Sequence, residues 1–542
     1  MNKELTLEIA KKFKKDPVSV ILLEYNSISD IAAEYLSKFK GLLSLDGLKA
    51  ISDDAAESLS KQEWYLSLKG LSFLSDAAAK SFSKHKGNLY IDGITSLSDA
   101  ALDSLSKRQG ALSLNGLTTL SDKTSIILSN YQGSLYLNGI TIISDAAAEI
   151  ISQHQGSLSL FGITTLSDSA ADSLSMHRGE LNLGGLTSIS DVTAASLSRH
   201  HYRLYLDGLT SISDIAAEYL SQHKEPVDIG SLEQQKLLSV GIAKLLINNE
   251  IPFWKFKFTK LSDDAAKILL SLKGDTLQLN KINAISIKTA SILSSHNGHL
   301  ELNGLTSLSD SAAEFFSTFK GFLSLDGLKI ISDATAESLS KKEWGLSLKG
   351  LAFISDAAVK SFSKHRGDLY LDGITYLSDA ALESLSKRQG QLFLNGLNEL
   401  SDNAAIALSK YQGYLHLNGL TSLSDAAADS LSKKEYTLSL NGLTALSDLA
   451  SKSLSKHKGI LKLNGLKTLP DSVAEFLSNS DQDIELNGIS NLSDAVAKSF
   501  SKHRGSLHLL GLTSLSDAAG QLLLSHKKLL LNPDIRKKLM KD

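Results

Sequence analysis

The stretch Asp368–Gly390, DLYLDGITYLSDAALESLSKRQG, decides the fold. Leu369 and Leu371 alternate with Tyr370 and Asp372, which is the period-two pattern of a short strand with one apolar face. Asp372-Gly373 on its own would argue for a hairpin. A helical pattern follows instead, so the glycine reads as a bend that leaves the strand. Ser378-Asp379 then opens a helix, and LSKRQG closes it with cations and a glycine. A close relative, NLYIDGITSLSDAALDSLSKRQG, occupies Asn88–Gly110.

The same phrase recurs along the chain with a step of 23 residues. Its strand-end glycines run from Gly47 to Gly208 in eight copies and from Gly304 to Gly511 in ten. Degenerate units with strands near Leu22, Ile229, Phe256 and Leu279 bring the count to 22. A fixed period of this length is the mark of a solenoid. In the unit Leu43–Ser60, Leu43, Leu45, Leu48 and Ile51 turn inward, and Ala55, Ala56 and Leu59 form a narrow apolar helix stripe. Ser or Asp of the SD pair caps the helix, and the aspartate also complements its positive end. About three turns of helix do not stand alone in water, so neighbouring units must hold each other. The expected fold is an α/β solenoid in which successive strands form a parallel sheet and the short helices cover its outside. A pure β-helix is the rival, and the alanine-rich capped segment argues against it.

The tandem LxLxGLTxLSDxAAxxLSKxxG resembles leucine-rich repeats of a non-standard bacterial, planctomycete-like kind, over about 18–531. The resemblance implies an α/β leucine-rich-repeat-like solenoid, with a parallel sheet on the concave side and short helices on the convex side, and recognition of a protein or other ligand on the concave sheet. The ladder asparagine of ordinary leucine-rich repeats is not at its place; Thr118 or Lys49, just after Gly-Leu, lies nearest.

The arrays are themselves duplicates. KQEW at Lys61–Trp64 returns as KKEW at Lys341–Trp344, an offset of 280, or twelve units plus four residues. Core positions Leu206, Ile229, Phe256 and Leu279 place the surplus after Ile229, as one helical turn. There Ser231 and Gln234 make a capping-box pattern, the helix runs to about Asn248, Pro252 blocks it, and Trp254, Phe256 and Phe258 plug the core. The sheet is expected to continue past this joint. The chain therefore divides into an N-terminal capping helix (1–17, with Leu5, Ile9 and Phe13 on one face), a first array (18–228), an irregular unit (229–258), a second array (259–527) and a C-terminal cap (528–542).

Composition narrows the function. The 542 residues carry 42% hydrophobic side chains, a formal charge of −3 and no cysteine. Near-balance gives no global reason to expect nucleic acid or anionic membrane. The missing thiol removes disulfides, thiolate zinc sites and cysteine nucleophiles. No apolar run reaches membrane-spanning length and no classical signal peptide opens the chain, so a cytoplasmic protein is expected. Serine, histidine and aspartate recur in every unit, which makes a triad worthless as a signal, and no phosphate-loop, HExxH or calcium-loop motif occurs. No cofactor and no enzyme activity are expected.

Ten of the 14 histidines precede the return glycine, among them His154, His177, His200 and His223 in consecutive units. A metal-binding ladder is one reading; solvated residues at helix C-termini is the preferred one. The repeated Asp53, Asp76 and Asp99 read as caps, not as paired catalytic carboxylates. Recognition should lie where the core leaves residues free to vary: the middle residue of L-x-L, which alternates serine with Tyr90, Tyr136, Tyr205, Tyr370, Phe393 and His416, with Phe161 in the next column. Exposed aromatics on a sheet suit a protein partner, with glycan binding after export or a structural spacer as alternatives. Trp64, Trp344, Tyr202 and Tyr436 replace the return-loop glycine and read as lids over loop gaps.

Overall fold

A computed structural model describes residues 3–230, 232–252, 255–272 and 274–539. The chain falls into two compact units, Met1–Lys257 and Phe258–Asp542. Each is a leucine-rich-repeat-like solenoid of alternating short parallel strands and short helices.

In the first unit nine strands, from Leu43–Ser44 to Val227–Ile229, pair in sequence order. In the second, twelve strands run from Thr276–Gln278 to Leu529–Leu531. The register is one unit per step: Leu43 faces Leu66, and Leu369 faces Leu392. Leu43, Leu45, Leu48, Ala55, Ala56 and Leu59 are all fully buried. Each leucine contributes roughly 2 kcal/mol by leaving water, and Cβ-only alanines let the helix lie close on the strand layer. Glycine after the strand is demanded by proximity: a Cβ on Gly139 would meet the Asn115 carbonyl oxygen at 2.0 Å. The expected left-handed return glycine is found only at Gly110 (φ +80°) and Gly390 (φ +82°) among the described residues. Elsewhere the return glycine is there for space, as at Gly133, where a Cβ would stand 1.9 Å from the Gly110 oxygen.

Of the SD pair, serine is the cap. Ser52 Oγ accepts from Ala55 N at 3.0 Å, and this contact recurs in most units. The aspartate does something else. Asp53 accepts the hydroxyl of Ser75 from the next unit, and Asp379 that of Ser401 at 2.5 Å, so a Ser–Asp chain links successive helix starts. A second chain runs along the sheet. Asn395 Oδ1 accepts from Asn418 N at 3.0 Å, Asn418 from Asn441 N at 2.9 Å, and Asn441 from Asn464 N at 2.9 Å. The ladder amide thus sits directly before the strand-end glycine, and not after Gly-Leu, at Thr118 or Lys49, as the resemblance implies.

The duplication shows in the elements: the helix Asp99–Leu105 returns as Asp379–Leu385 and the strand Leu89–Tyr90 as Leu369–Tyr370, both at 280 residues. Several expectations need correction. Near Leu22 a 3-10 turn, Leu22–Glu24, replaces the strand. Among the described residues the nine-stranded sheet ends at Val227–Ile229 and the twelve-stranded sheet begins at Thr276–Gln278, while the strand expected between them, at Trp254, falls outside the described residues. The four surplus residues are not one helical turn. Successive helix caps Ser213, Ser239, Ser262, Ser286 and Ser309 step by 26, 23, 24 and 23, which puts the extra residues in loops. The helix there begins only at Val240, with Ser239 at its cap position, and ends at Asn248. Ser231 and Trp254 lie outside the described residues. Phe256 and Phe258 are buried as expected. Among the described residues, Leu232 (φ 45°) and Glu250 (φ 55°) are the non-glycine residues with left-handed backbone, and both lie at this joint.

The ends are covered. Leu5 belongs to a two-residue strand, Glu4–Leu5, beside Ser27–Ile28, and the first helix is Leu7–Lys15 with Ala10 and Phe13 buried. The last strand, Leu529–Leu531, is followed by the helix Pro533–Leu539, whose Ile535 is buried.

Candidate functional site: the outer sheet face and the return column

Alternation in a strand puts the x of L-x-L on the sheet face turned away from the helices. The serines of that column are not solvent-facing as expected. Ser67, Ser113, Ser347 and Ser439 are at most 1% exposed. They are short enough to lie beneath the ladder residues and donate to them, Ser439 Oγ to Asn418 Oδ1 at 2.7 Å and Ser347 Oγ to Asp326 Oδ1 at 2.5 Å. The aromatics stand above this level.

In the second unit they join into one ribbon. Tyr370 and Phe393 stack with ring centroids 4.1 Å apart and planes at 9°, and Phe393 stacks on His416 at 4.0 Å. Phe322 meets Tyr370 edge-on at 5.8 Å, and His299 meets Phe322 at 5.9 Å. The ribbon spans six consecutive strands, His299–Glu301 to Leu415–His416. His299 and Phe322 were missed in the sequence. The signal was present, since they lie two residues before Glu301 and Ser324 and period two puts both on the same face. Lys349 places its ammonium 4.9 Å from the Tyr370 centroid. Burial raises the Tyr370 phenol, and burial, then the charge of Lys462, lowers the His416 imidazole.

In the first unit the corresponding rings are sparser. Tyr65 and Tyr90 lie 4.6 Å apart, and Tyr90 and Tyr136 6.4 Å apart with Ser113 on the strand between. Lys69, the counterpart of Lys349, stands over Tyr90 at 5.4 Å. Tyr205 is half-buried beneath Arg203, at 5.1 Å, and is apart from this group. Phe161 is 49% exposed, and its ring covers Gly184, where a Cβ would come within 3.0 Å.

The return column contradicts the solvated reading. His85, His154, His200 and His365 are 0% exposed. Their column points inward at the carbonyls of the return loops. Arg388 donates to Gln391 O at 2.8 Å, Tyr411 Oη at 3.0 Å and Gly367 O. Lys434 Nζ donates to Tyr411 O at 2.7 Å and to Gly413 O, and Tyr411 Oη to Gly390 O at 2.5 Å. The histidines occupy the same place with looser geometry: His154 faces the Tyr131 and Gly133 carbonyls without a well-formed hydrogen bond. Burial holds His177, His200, His365 and His457 down to about 4, and the His154 charge adds to the effect at His177. Neutral imidazoles therefore stack in line, His154 on His177 at 5.8 Å and His177 on His200 at 6.2 Å. Among the described residues no group of three or more His, Asp or Glu could hold a metal ion. Trp64 and Trp344 are each 55% exposed, which does not fit the lid reading.

No protein-family model matches the chain. No curated protein matches it either. Among solved structures, a leucine-rich-repeat protein of Leptospira interrogans is similar over 100% of this chain and 98% of its own, at 14% identity and a TM-score of 0.22. A score that low carries no argument, so the fold assignment rests on the strand–helix units and the two inter-unit hydrogen-bond chains of this protein itself.

Proposed function

We propose that the chain is a non-enzymatic recognition scaffold that binds a protein partner on the outer sheet face, centred on the ribbon His299–Phe322–Tyr370–Phe393–His416 of the second unit. The mutual stacking of the ribbon is what supports a protein over a glycan. Phe393 has both ring faces covered, by Tyr370 and by His416. A sugar ring needs a free aromatic face, whereas protein side chains pack well against a row of ring edges tipped with a hydroxyl and an imidazole. The serines around the ribbon are recessed, so the rings form a raised rail. Tyr90, Tyr136, Tyr205 and Phe161 of the first unit are assigned the same role as a secondary contact.

The test replaces Tyr370, Phe393 and His416 together with serine. Thermal melting should change little, because the leucines beneath are untouched. Proteins captured from the source cells by the native chain should be lost by the variant. Unchanged capture would assign recognition to another surface, and a collapse in melting temperature would mean that the ribbon belongs to the core.

A further inference from the structure

The formal charge of −3 hides a separation of charge along a run of six helices of the second unit. Helix starts carry one aspartate per unit, as at Asp333, Asp356 and Asp379. The opposite ends carry Lys341, Lys364, Lys387, Lys410, Lys433 and Lys456 in six consecutive units. All six are exposed. At one strand spacing per unit the row is roughly 25 Å long. Three members make only loose or surface pairs one turn back, Lys341 with Glu337 at 3.9 Å, Lys387 with Glu383 at 3.8 Å and Lys433 with Asp429 at 3.0 Å. Both partners of each pair are well exposed and the pairs are weakly held, so these ammonium groups are free to turn outward. Lys364, Lys410 and Lys456 pair with no carboxylate among the described residues.

Two depressions open between these lysines. One, of about 420 Å³, is lined by Lys387, Arg388 and Lys410 with the single carboxylate of Glu383. Arg388 is 2% exposed, and its Nε has no hydrogen-bond partner. The other, of about 320 Å³, is lined by Lys341, Lys342, Lys364 and Arg366 against Glu337 and Glu343. Both leave a net positive lining of a size that admits a phosphate group. From the same loops project Trp344, 55% exposed, and Tyr436, 43% exposed. They stand four units apart, too far for successive bases to stack between them, but suited to separate anchoring at a lipid–water boundary.

We propose that this return edge of the second unit is a docking surface for an anionic phospholipid membrane. The lysine row faces the headgroup phosphates, the two depressions take individual phosphates, and Trp344 and Tyr436 enter the interface. The aspartates at the far ends of the same helices are repelled, which sets the orientation. This is peripheral attachment, since no helix among the described residues is long and apolar enough to cross a membrane.

The experiment is co-sedimentation of the full chain with vesicles of phosphatidylcholine alone and of phosphatidylcholine with phosphatidylserine. Binding is expected to the anionic vesicles only, and to weaken with added salt. The triple variant Lys364→Gln, Lys410→Gln, Lys456→Gln, which breaks no ion pair, should keep its melting temperature and lose affinity by about a hundredfold. Lys260→Gln, Lys329→Gln, Lys467→Gln removes equal charge from exposed positions on the opposite, strand-to-helix side of the units and should bind as the native chain does. Equal loss in both triple variants, equal binding to neutral vesicles, or binding to a single-stranded oligonucleotide with none to vesicles would overturn the proposal.

Discussion

The return columns of the two arrays, compared at the offset of 280, hold the same place with different chemistry. From Arg108 the first reads Arg108, Tyr131, His154, His177, His200; from Arg388 the second reads Arg388, Tyr411, Lys434, His457, Ser480. All ten side chains are buried. Arg108 repeats the bonds of Arg388, to Ala111 O at 2.7 Å, Tyr131 Oη at 3.0 Å and Gly87 O. One step beyond the tyrosine the solutions part. The first array stacks neutral rings, while the second sends Lys434 to two carbonyls and leaves it 4.7 Å from the Tyr411 ring centroid. What the position requires is a side chain that reaches the return loop of the preceding unit, as imidazole, ammonium, phenol and guanidinium all can. What differs is the pH at which each array objects to protonation.

The largest expected effect is common to both arrays. Arg388→Ala leaves the Gly367 and Gln391 carbonyls and the Tyr411 hydroxyl short of a donor in a buried place, at a cost of about 3 kcal/mol. Arg108→Ala should cost the same, measured by chemical denaturation. A large inequality would show that the duplicated bonds are not equivalent.

The next effect separates the arrays. A buried histidine held down to about 4 against an ordinary 6.5 takes up its proton more readily when unfolded. Its contribution is complete above 6.5 and is lost as pH falls from 6.5 towards 4. Lys342 is lowered to about 7 and Lys434 to about 8 from 10.5, both by burial. Their contribution is complete above 10.5 and declines as pH falls towards 7 or 8. Hydrogen exchange followed against pH should therefore show protection around 341–436 weakening already between high and neutral pH. Protection around 154–223 should hold until about pH 6.5 and then fall. Coincident profiles would remove the distinction. Lys434→His should sharpen it, moving the local response from the lysine window to the histidine window with a stability change of about 1 kcal/mol or less.

The smallest effect concerns the aspartates. Asp379 accepts the Ser401 hydroxyl, but Asp99 pairs with exposed Lys123, while the Ser121 and Thr124 hydroxyls bond each other at 2.9 Å. Asp379→Ala should cost about 1 kcal/mol and Asp99→Ala a few tenths. The reverse order in thermal melting would make the dipole contact, and not the inter-unit bond, the significant one.

The period, the strand and helix of each unit, the serine caps and the duplication were legible because each follows from a local residue pattern repeated many times. The aromatic column was legible from alternation alone, through Tyr370, Phe393 and His416, yet His299 and Phe322 escaped because only one outward position per strand was read. The destination of the histidines was not legible. A polar residue beside a lysine at a helix end looks solvated, and only the neighbouring unit's return loop makes the site an interior one. The joint was misplaced for a similar reason. A surplus of four matches a helical turn in length, but the 26- and 24-residue steps between helix caps place it in two loops, the first of which holds Leu232 in left-handed backbone.

The Ser–Asp chain along the helix starts has a consequence for how such an array changes over generations. Most links join a serine donor to an aspartate acceptor, so the boundary between one pair of units resembles the boundary between most others. Copying or dropping a whole unit of 23 residues restores a hydroxyl opposite a carboxylate and a leucine opposite a leucine. Dropping any other number does not. Within an array, length is a variable that can be altered in whole steps without redesigning the core, and the outer face of the sheet is lengthened or shortened with it.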